Sequence, residues 1–402
     1  MNKNFTRGNI EKQIINLPIE VKYCKKCVIS NQRPRVIFDE EGVCSACRNT
    51  DYKEKVDWVE REEELRELLD KHRSNDGYWD VIVPSSGGKD SSFVAHQLKY
   101  KYGMNPLTVT WSPLKYTDIG LENFQSLCDA GFVNIKCTPN GEIHRKLARL
   151  AFEELGDAFH VFVLGQVYFP IHMALKFGIK LVFYGENGEV EYAGDPKLVD
   201  KPYISMIEDK AYLREYEKGT SFVSLLKYGL ENKDYINSND LNEADLIFYK
   251  APKLEDLKKT GISNKHYYNH YHKWTPQENY YYSVEHTGFK ANPVRTEGTY
   301  SKYASLDDMT DGFHYYMRYI KFGLGRCMED AAHEIRDGHI TREEGVALMN
   351  RYEGEFPKRY FKQFLEYLDI TEDHFWEVVD SWRLPHLWEK VNGEWELRCP
   401  VS

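Results

Sequence analysis

Between Val81 and Tyr184 the apolar positions recur at two alternating periods. Val81–Val83, Pro106–Trp111, Val133–Cys137 and Leu181–Tyr184 are short runs rich in β-branched and aromatic residues, and each reads as a strand. Between them the spacing lengthens to that of helices. One runs through Phe93, Val94 and Leu98 to Gly103, one covers Leu121–Ala130 and stops at Gly131, one covers Ile143–Leu155, and an apolar one covers Leu164–Phe177. Strand alternating with helix predicts a parallel, doubly wound α/β sheet. Upstream, Trp58–His72 is a charged amphipathic helix with Leu65, Leu68 and Leu69 on one side, broken at Ser74-Asn75-Asp76-Gly77.

Past Val190 the periodicity weakens. Residues 190 to about 295 are rich in Tyr, Asn, Lys and Asp and read as an insertion with long loops. From Tyr303 to the end the pattern is helical again, with Thr341 as an N-cap and Glu344 at the reciprocal position of a capping box. These shifts divide the chain into residues 1–55, 56–190, 191–295 and 296–402, with no internal repeat.

The strand Val81–Val83 leads into Pro84-Ser85-Ser86-Gly87-Gly88-Lys89-Asp90-Ser91-Ser92 and then into the first helix. A glycine pair among hydroxyls lets backbone N–H groups turn toward an anion, and the helix N-terminus adds its positive end. The spacing matches neither the Walker loop nor the dinucleotide or kinase glycine fingerprints. In a parallel sheet ligands sit beyond the carboxyl ends of the strands, so Ser85–Ser92, Thr110–Ser112 and Gly185–Asn187 are expected at one rim. Ser85, Ser86, Gly87, Gly88, Lys89, Asp90, Ser91, Ser92, Thr110 and Gly185 are the candidate contacts of a phosphate-bearing ligand.

Composition narrows the class. The 402 residues carry 53 basic and 63 acidic side chains, a formal charge of −10 that opposes nucleic-acid binding except through a local patch. The N-terminus lacks the apolar core of a signal peptide, and Ala158–Leu175 reads as a buried helix, not a membrane span, so a cytoplasmic protein is expected. Four of the eight cysteines form Cys24-x-x-Cys27 and Cys44-x-x-Cys47, the spacing of a zinc ribbon. Four thiolates leave no open coordination position, which makes such an ion structural. An iron–sulfur cluster and a pair of disulfides are the competing readings. Cys128, Cys137, Cys327 and Cys399 have no ligand spacing and read as buried or inert. His266, His270 and His272 lie in an H-x-x-x-H-x-H run, read as a half-exposed aromatic face in preference to a metal site. In residues 295–326, Arg295, Lys302, Arg318, Lys321 and Arg326 alternate with aromatics such as Tyr303 and with Asp307, Asp308 and Asp311. Cations beside aromatic surface suit an anionic, ring-bearing ligand, although a helix face laced with ion pairs would look the same.

Ser86-Gly87-Gly88-Lys89-Asp90-Ser91 resembles the S-G-G-x-D-S loop of the PP-loop ATP pyrophosphatases, whose fold is of the adenine nucleotide α-hydrolase (HUP) type. Taken with Tyr23–Cys47, Gly185-Glu186-Asn187 and the stretch from Gly298-Thr299-Tyr300 to Gly325-Arg326, the chain resembles the N-acetyl sugar amidotransferases of lipopolysaccharide and flagellin-sugar synthesis, the WbpG/PseA type. The resemblance implies ATP, Mg²⁺ and structural Zn²⁺, and an acidic acetamido sugar or sugar nucleotide as acceptor. It implies adenylation of the acetamido carbonyl and displacement of AMP by ammonia. Lys89, Asp90 and Glu186 are then the candidate catalytic residues, and Arg295, Lys302, Tyr303, Arg318, Lys321 and Arg326 the acceptor contacts. Position 2 is Asn2, and no cysteine lies in a G-x-C-x-G elbow, so the chain is expected to lack a glutaminase of its own. The family implies a separate glutaminase partner resembling the glutaminase and cyclase pair of histidine biosynthesis. A tRNA sulfur transferase and a non-enzymatic ATP-binding module remain the alternatives.

Overall fold

A computed structural model of the chain describes residues 10–194, 196–206, 220–262 and 264–402. The first nine residues, with Asn2 and part of the segment read against a signal peptide, lie outside them.

Among the described residues the centre is a six-stranded sheet, its strands numbered along the chain and ordered β3-β2-β1-β4-β6-β5. β1 (Val81–Pro84), β2 (Pro106–Trp111), β3 (Asn134–Cys137), β4 (Leu181–Tyr184) and β6 (Asn264–Tyr267) are parallel, and β5 (Tyr203–Ser205) closes one edge antiparallel to β6. Val81 and Val83 bury into one core with Leu181 and Phe183, while Ile82 and Val182 bury into another. That alternation, with apolar residues on both sides, is what a parallel strand covered by helices on both faces requires. After α1 (Ser45–Lys53) in the cysteine segment, α2 (Trp58–His72), α3 (Lys89–His96) and α4 (Asp118–Asp129) cover the first face. α5 (Gly141–Leu155) and α6 (His160–Phe177) cover the second, joined there by the C-terminal helices Asp311–Phe322, Phe361–Leu368 and Glu372–Ser381. The result is a mixed α/β protein with a mostly parallel, doubly wound sheet.

The chain runs outward from β1 through β2 to β3, then returns to the opposite side of β1 as β4. Strand order therefore reverses between β1 and β4, and the loops after these strands splay apart into a crevice. The phosphate-loop candidate and Gly185-Glu186-Asn187 flank that crevice.

The cysteine segment packs with helices Arg326–Arg336 and Arg342–Tyr352 through Val28, Ile29, Cys327, Met328 and Ala331.

Several expectations are corrected. The described residues of 191–295 are not mainly loops, because β6 enters the sheet beside β4 and the helix Pro276–Thr287 packs on α3. The strand was masked by its polar letters: Lys265 and His266 are buried, with the Lys265 ammonium 4.8 and 4.9 Å from the Tyr184 and Tyr267 rings. The helix after the glycine loop widens into a π-type turn over Gln97–Lys101. α6 starts a turn early at His160 and carries Pro170 in its interior. The C-terminal helices begin only at Asp311, and the chain ends in a hairpin of β7 (Trp388–Val391) and β8 (Glu394–Leu397). No helix among the described residues is long and apolar enough to cross a membrane.

Candidate functional site

The glycine loop is braced from within. Ser85 N donates to Val109 O at 2.9 Å, the Ser85 and Ser91 hydroxyls are 3.0 Å apart, and Ser91 Oγ donates to Gly88 O at 3.1 Å. Thr110 Oγ1 donates to Ser85 O. Ser92 is buried beneath the loop. Gly87 sits at φ +86°, and a Cβ there would lie 2.6 Å from Phe124 N and Cα in α4. The loop thus passes against the backbone of α4 at a point where only glycine fits. Gly88 is the N-cap of α3 and offers no side chain to the first-turn amides, which are left for an external acceptor.

Helix Pro276–Thr287 holds the far side of this loop. Asn279 Nδ2 donates to Asp90 Oδ1 at 3.0 Å, and Ser283 Oγ donates to Lys89 O at 2.7 Å. The Lys89 ammonium pairs with Asp90 and lies 5.7 Å from the centre of the Tyr303 ring, which stacks on Tyr280 at 4.4 Å. Across the crevice, Asn269 fixes the loop after β4. Its N–H donates to Gly185 O (3.0 Å), its Oδ1 accepts from Asn187 N (3.2 Å), and its Nδ2 donates to Glu191 Oε1 (2.6 Å). Glu186 is held between these loops. Burial, reinforced by the Asp90 charge and opposed by Lys89, raises its carboxyl to about 7.

Two cavities meet at the loop. One of about 420 Å³ lies beneath it, walled by Val109, Trp111, Phe162, Val167, Tyr184 and Tyr267, with Gln166 as a polar group among them. Apolar walls and the backbone amides of the glycine loop thus meet in one concave pocket. The other, about 390 Å³, lies in front of the loop and is closed by Tyr303, Asp307, Asp311, Tyr315, Arg326 and Glu329. Burial, then the neighbouring Asp311, raises Asp307 to about 6, while its hydrogen bond with Ser86 opposes the shift. Asp308 serves the framework: it accepts from Leu114 N and from Thr310 N and Oγ1, and burial raises it to about 7.

The acceptor candidates separate into three groups. Tyr303 and Arg326 reach the front cavity, where Arg326 pairs with Asp330 at 3.0 Å. Arg318, paired with Glu329, and Lys321, buried against Glu11 and Leu155 O, line a neighbouring cavity. Arg295 is held bidentately by Glu355 (2.6 and 2.9 Å) and stacks over Tyr352, and Lys302 is exposed; neither lines the site cavities. Tyr192, Gln166, Glu329 and Asp330 were not singled out from the sequence. Gln166 was detectable as a lone amide in an apolar helix, and Asp330 as the i,i+4 partner of Arg326. Tyr192, in a turn, carries no such mark.

The four ribbon cysteines converge. All are buried, their sulfur atoms lie within 4.8 Å of one another, and Cys24–Cys47 and Cys27–Cys44 are 3.8 and 3.7 Å apart. A tetrahedral ion with Zn–S bonds of about 2.3 Å sets sulfur atoms about 3.8 Å apart, so the cluster fits zinc. The backbone N–H groups of Cys27 and Cys44 point at Cys24 Sγ (3.5 and 3.3 Å), as they do toward metal-bound thiolates. Arg342 donates to Cys24 O and Cys27 O. The histidine run does not converge. His266 is buried in β6, His270 bonds Arg61, and His272 packs on Phe93, so the expected half-exposed face is in fact mostly interior. Among the described residues only the cysteines form a metal-competent group. Of the remaining cysteines Cys327 is buried and Cys399 exposed, while burial raises Cys137 to about 11 and also raises Cys128.

Fold and site define a doubly wound α/β protein with a glycine-loop cleft at the sheet's switch point and a four-cysteine centre. Residues 297–399 match the family described as LPS biosynthesis protein WbpG-like, C-terminal domain. Over this region the chain is similar to the WbpG-type proteins, the group it also resembles in its motifs. No curated protein matches the chain.

Proposed function

We propose that this protein is an ATP-dependent amidotransferase of lipopolysaccharide or related glycan synthesis, with a PP-loop fold. It converts the acetamido group of an acidic sugar into an acetamidino group. The observation that carries the reading is the front cavity, where residues of the WbpG-like domain (Tyr303, Asp307, Asp311, Tyr315, Arg326) close directly over the glycine loop.

An amide carbonyl is a poor electrophile, and its oxygen leaves badly. With ATP in the cavity beneath the loop, the acetamido oxygen attacks the α-phosphorus and pyrophosphate departs. Ammonia then adds to the O-adenylated carbon, AMP leaves with the oxygen, and a proton is released. The sum is sugar, ATP and ammonia giving acetamidino sugar, AMP and pyrophosphate. The loop amides, Ser86 and Lys89 balance charge on the departing pyrophosphate. Asp90, held by Asn279, fits a Mg²⁺ that would neutralise the phosphates, since this ion takes few carboxylates and many phosphate oxygens. Glu186, raised toward neutrality beside the loop, accepts a proton from ammonia as it adds. A separate glutaminase supplies the ammonia. A sulfur transferase would need a nucleophilic thiolate, and burial raises both Cys128 and Cys137 away from that state.

The test is mass spectrometry of chain, ATP, Mg²⁺ and ammonium with a panel of acetamido sugars. AMP formed together with a sugar about one mass unit lighter is expected. ATP binding with no AMP for any sugar would overturn the reaction.

A further inference from the structure

A third cavity, of about 250 Å³, runs from the turn Arg33-Pro34-Arg35 into the site. It shares Val163 and Gly188 with the cavity beneath the loop, and Tyr192 and Glu329 with the one in front. Four cations line it. Three are neutralised by the chain itself: Arg35 by Glu189 through two hydrogen bonds (2.9 and 2.6 Å), Arg318 by Glu329, and Lys321 by Glu11.

Arg33 is different. Among the described residues its side chain has no ion pair and one hydrogen bond, from Nη1 to Pro34 O at 3.3 Å, and its buried Nε has no partner. Glu189 and Glu329 act on it only as neighbouring charges, each already committed to another arginine. A guanidinium withdrawn from water without a paired anion is costly to the fold alone. The turn that carries it is nevertheless well made. Arg33 N donates to Ser30 O and Val36 N to Arg33 O, both at 3.2 Å. Arg35 adopts φ +71°, a conformation L residues adopt at a cost, and its Glu189 pair holds it there. The turn lies between Cys27 and Cys44, so the four-cysteine centre anchors both of its ends.

We propose that Arg33 is the anion-recognition residue of the acceptor subsite, and that the cysteine knuckle serves the site by presenting it. The assignment rests on the acceptor reading given above. The free Nε edge of a guanidinium matches two oxygens of one carboxylate or phosphate, so the anion is the sugar's own carboxylate or the diphosphate of a sugar nucleotide.

Three probes separate these sources: N-acetylglucosaminuronic acid, UDP, and neutral N-acetylglucosamine, each titrated calorimetrically into the full chain. Wild type binds at least one anionic probe more tightly than the neutral sugar. Arg33→Met weakens that probe about 10–100-fold and leaves ATP binding unchanged, and the probe affected identifies the source. Arg33→Lys falls between the two, because it keeps the charge and loses the fork. Should Arg33→Met fail to fold, Arg33→Lys decides, and wild-type affinity for both anions in that variant overturns the assignment. Equal binding of all three probes by wild type, or unchanged anion binding in Arg33→Met, also overturns it. AMP formation assayed on the same samples keeps the two claims apart. No AMP with any sugar, alongside Arg33-dependent anion binding, refutes the reaction and leaves the subsite standing.

Discussion

Replacing Gly87 with alanine tests whether the loop works through its fit against α4. The residue is at φ +86°, and a Cβ would stand 2.6 Å from Phe124 N and Cα and 2.7 Å from Asn123 C. The obstacles are backbone, so they cannot swing aside as a side-chain tip could. Moving from 2.6 Å to the 3.4 Å of ordinary contact displaces the loop by about 0.8 Å. The left-handed conformation adds about 1–2 kcal/mol for an L residue. A displacement near 1 Å at a positioned phosphate costs on the order of 100-fold in turnover. Gly178→Ala is the control, because Gly178 has φ +67° with nothing within 4 Å of its Cβ position. Both variants should lose stability from backbone conformation, seen in thermal melts, and Gly87→Ala should lose more because its backbone clash adds to that cost. Only Gly87→Ala should lose ATP affinity by tenfold or more in calorimetry, with AMP formation about 100-fold slower. Wild-type ATP binding and turnover in Gly87→Ala would refute the argument that this close approach sets the loop's geometry.

Two further outcomes follow from the same structure. Metal analysis of the purified chain should find one zinc and no iron per chain, and Cys47→Ser should lose it; proteolysis should then open helices Arg326–Arg336 and Arg342–Tyr352, which share the cysteine core. Thermal melts of the ligand-free chain across pH should show a maximum at about pH 4, with stability falling from there toward pH 8. Glu186, Asp308 and Glu353 are raised to about 7 and Asp307 and Asp337 to about 6, so the unfolded chain ionises first and stability falls as pH rises from about 4 through 7. Glu153 and Glu329, lowered to about 2 although burial works against them, are stabilised by His374 and Lys233 and by Arg318; that stability is lost as pH falls below about 4.5. A melting temperature that climbs steadily from pH 5 to 8 would contradict this balance.

What the sequence determined by itself was whatever is encoded in contiguous residues. Four parallel strands, the glycine loop between β1 and α3, the capping box at Thr341 and the paired cysteines all depend on neighbours within about twenty positions, so period and spacing suffice to read them. Tertiary structure decided the rest. β6 has the letters of a loop, and only burial of Lys265 and His266 against aromatic rings makes it a strand. The cations of residues 295–326 looked equivalent, yet Arg295 and Lys321 are each held by a carboxylate distant in sequence, Glu355 and Glu11. Arg33 carries no signal of its own. Its significance lies in the absence of a partner, and no local pattern can show which charges remain uncompensated until every other charge has found its place.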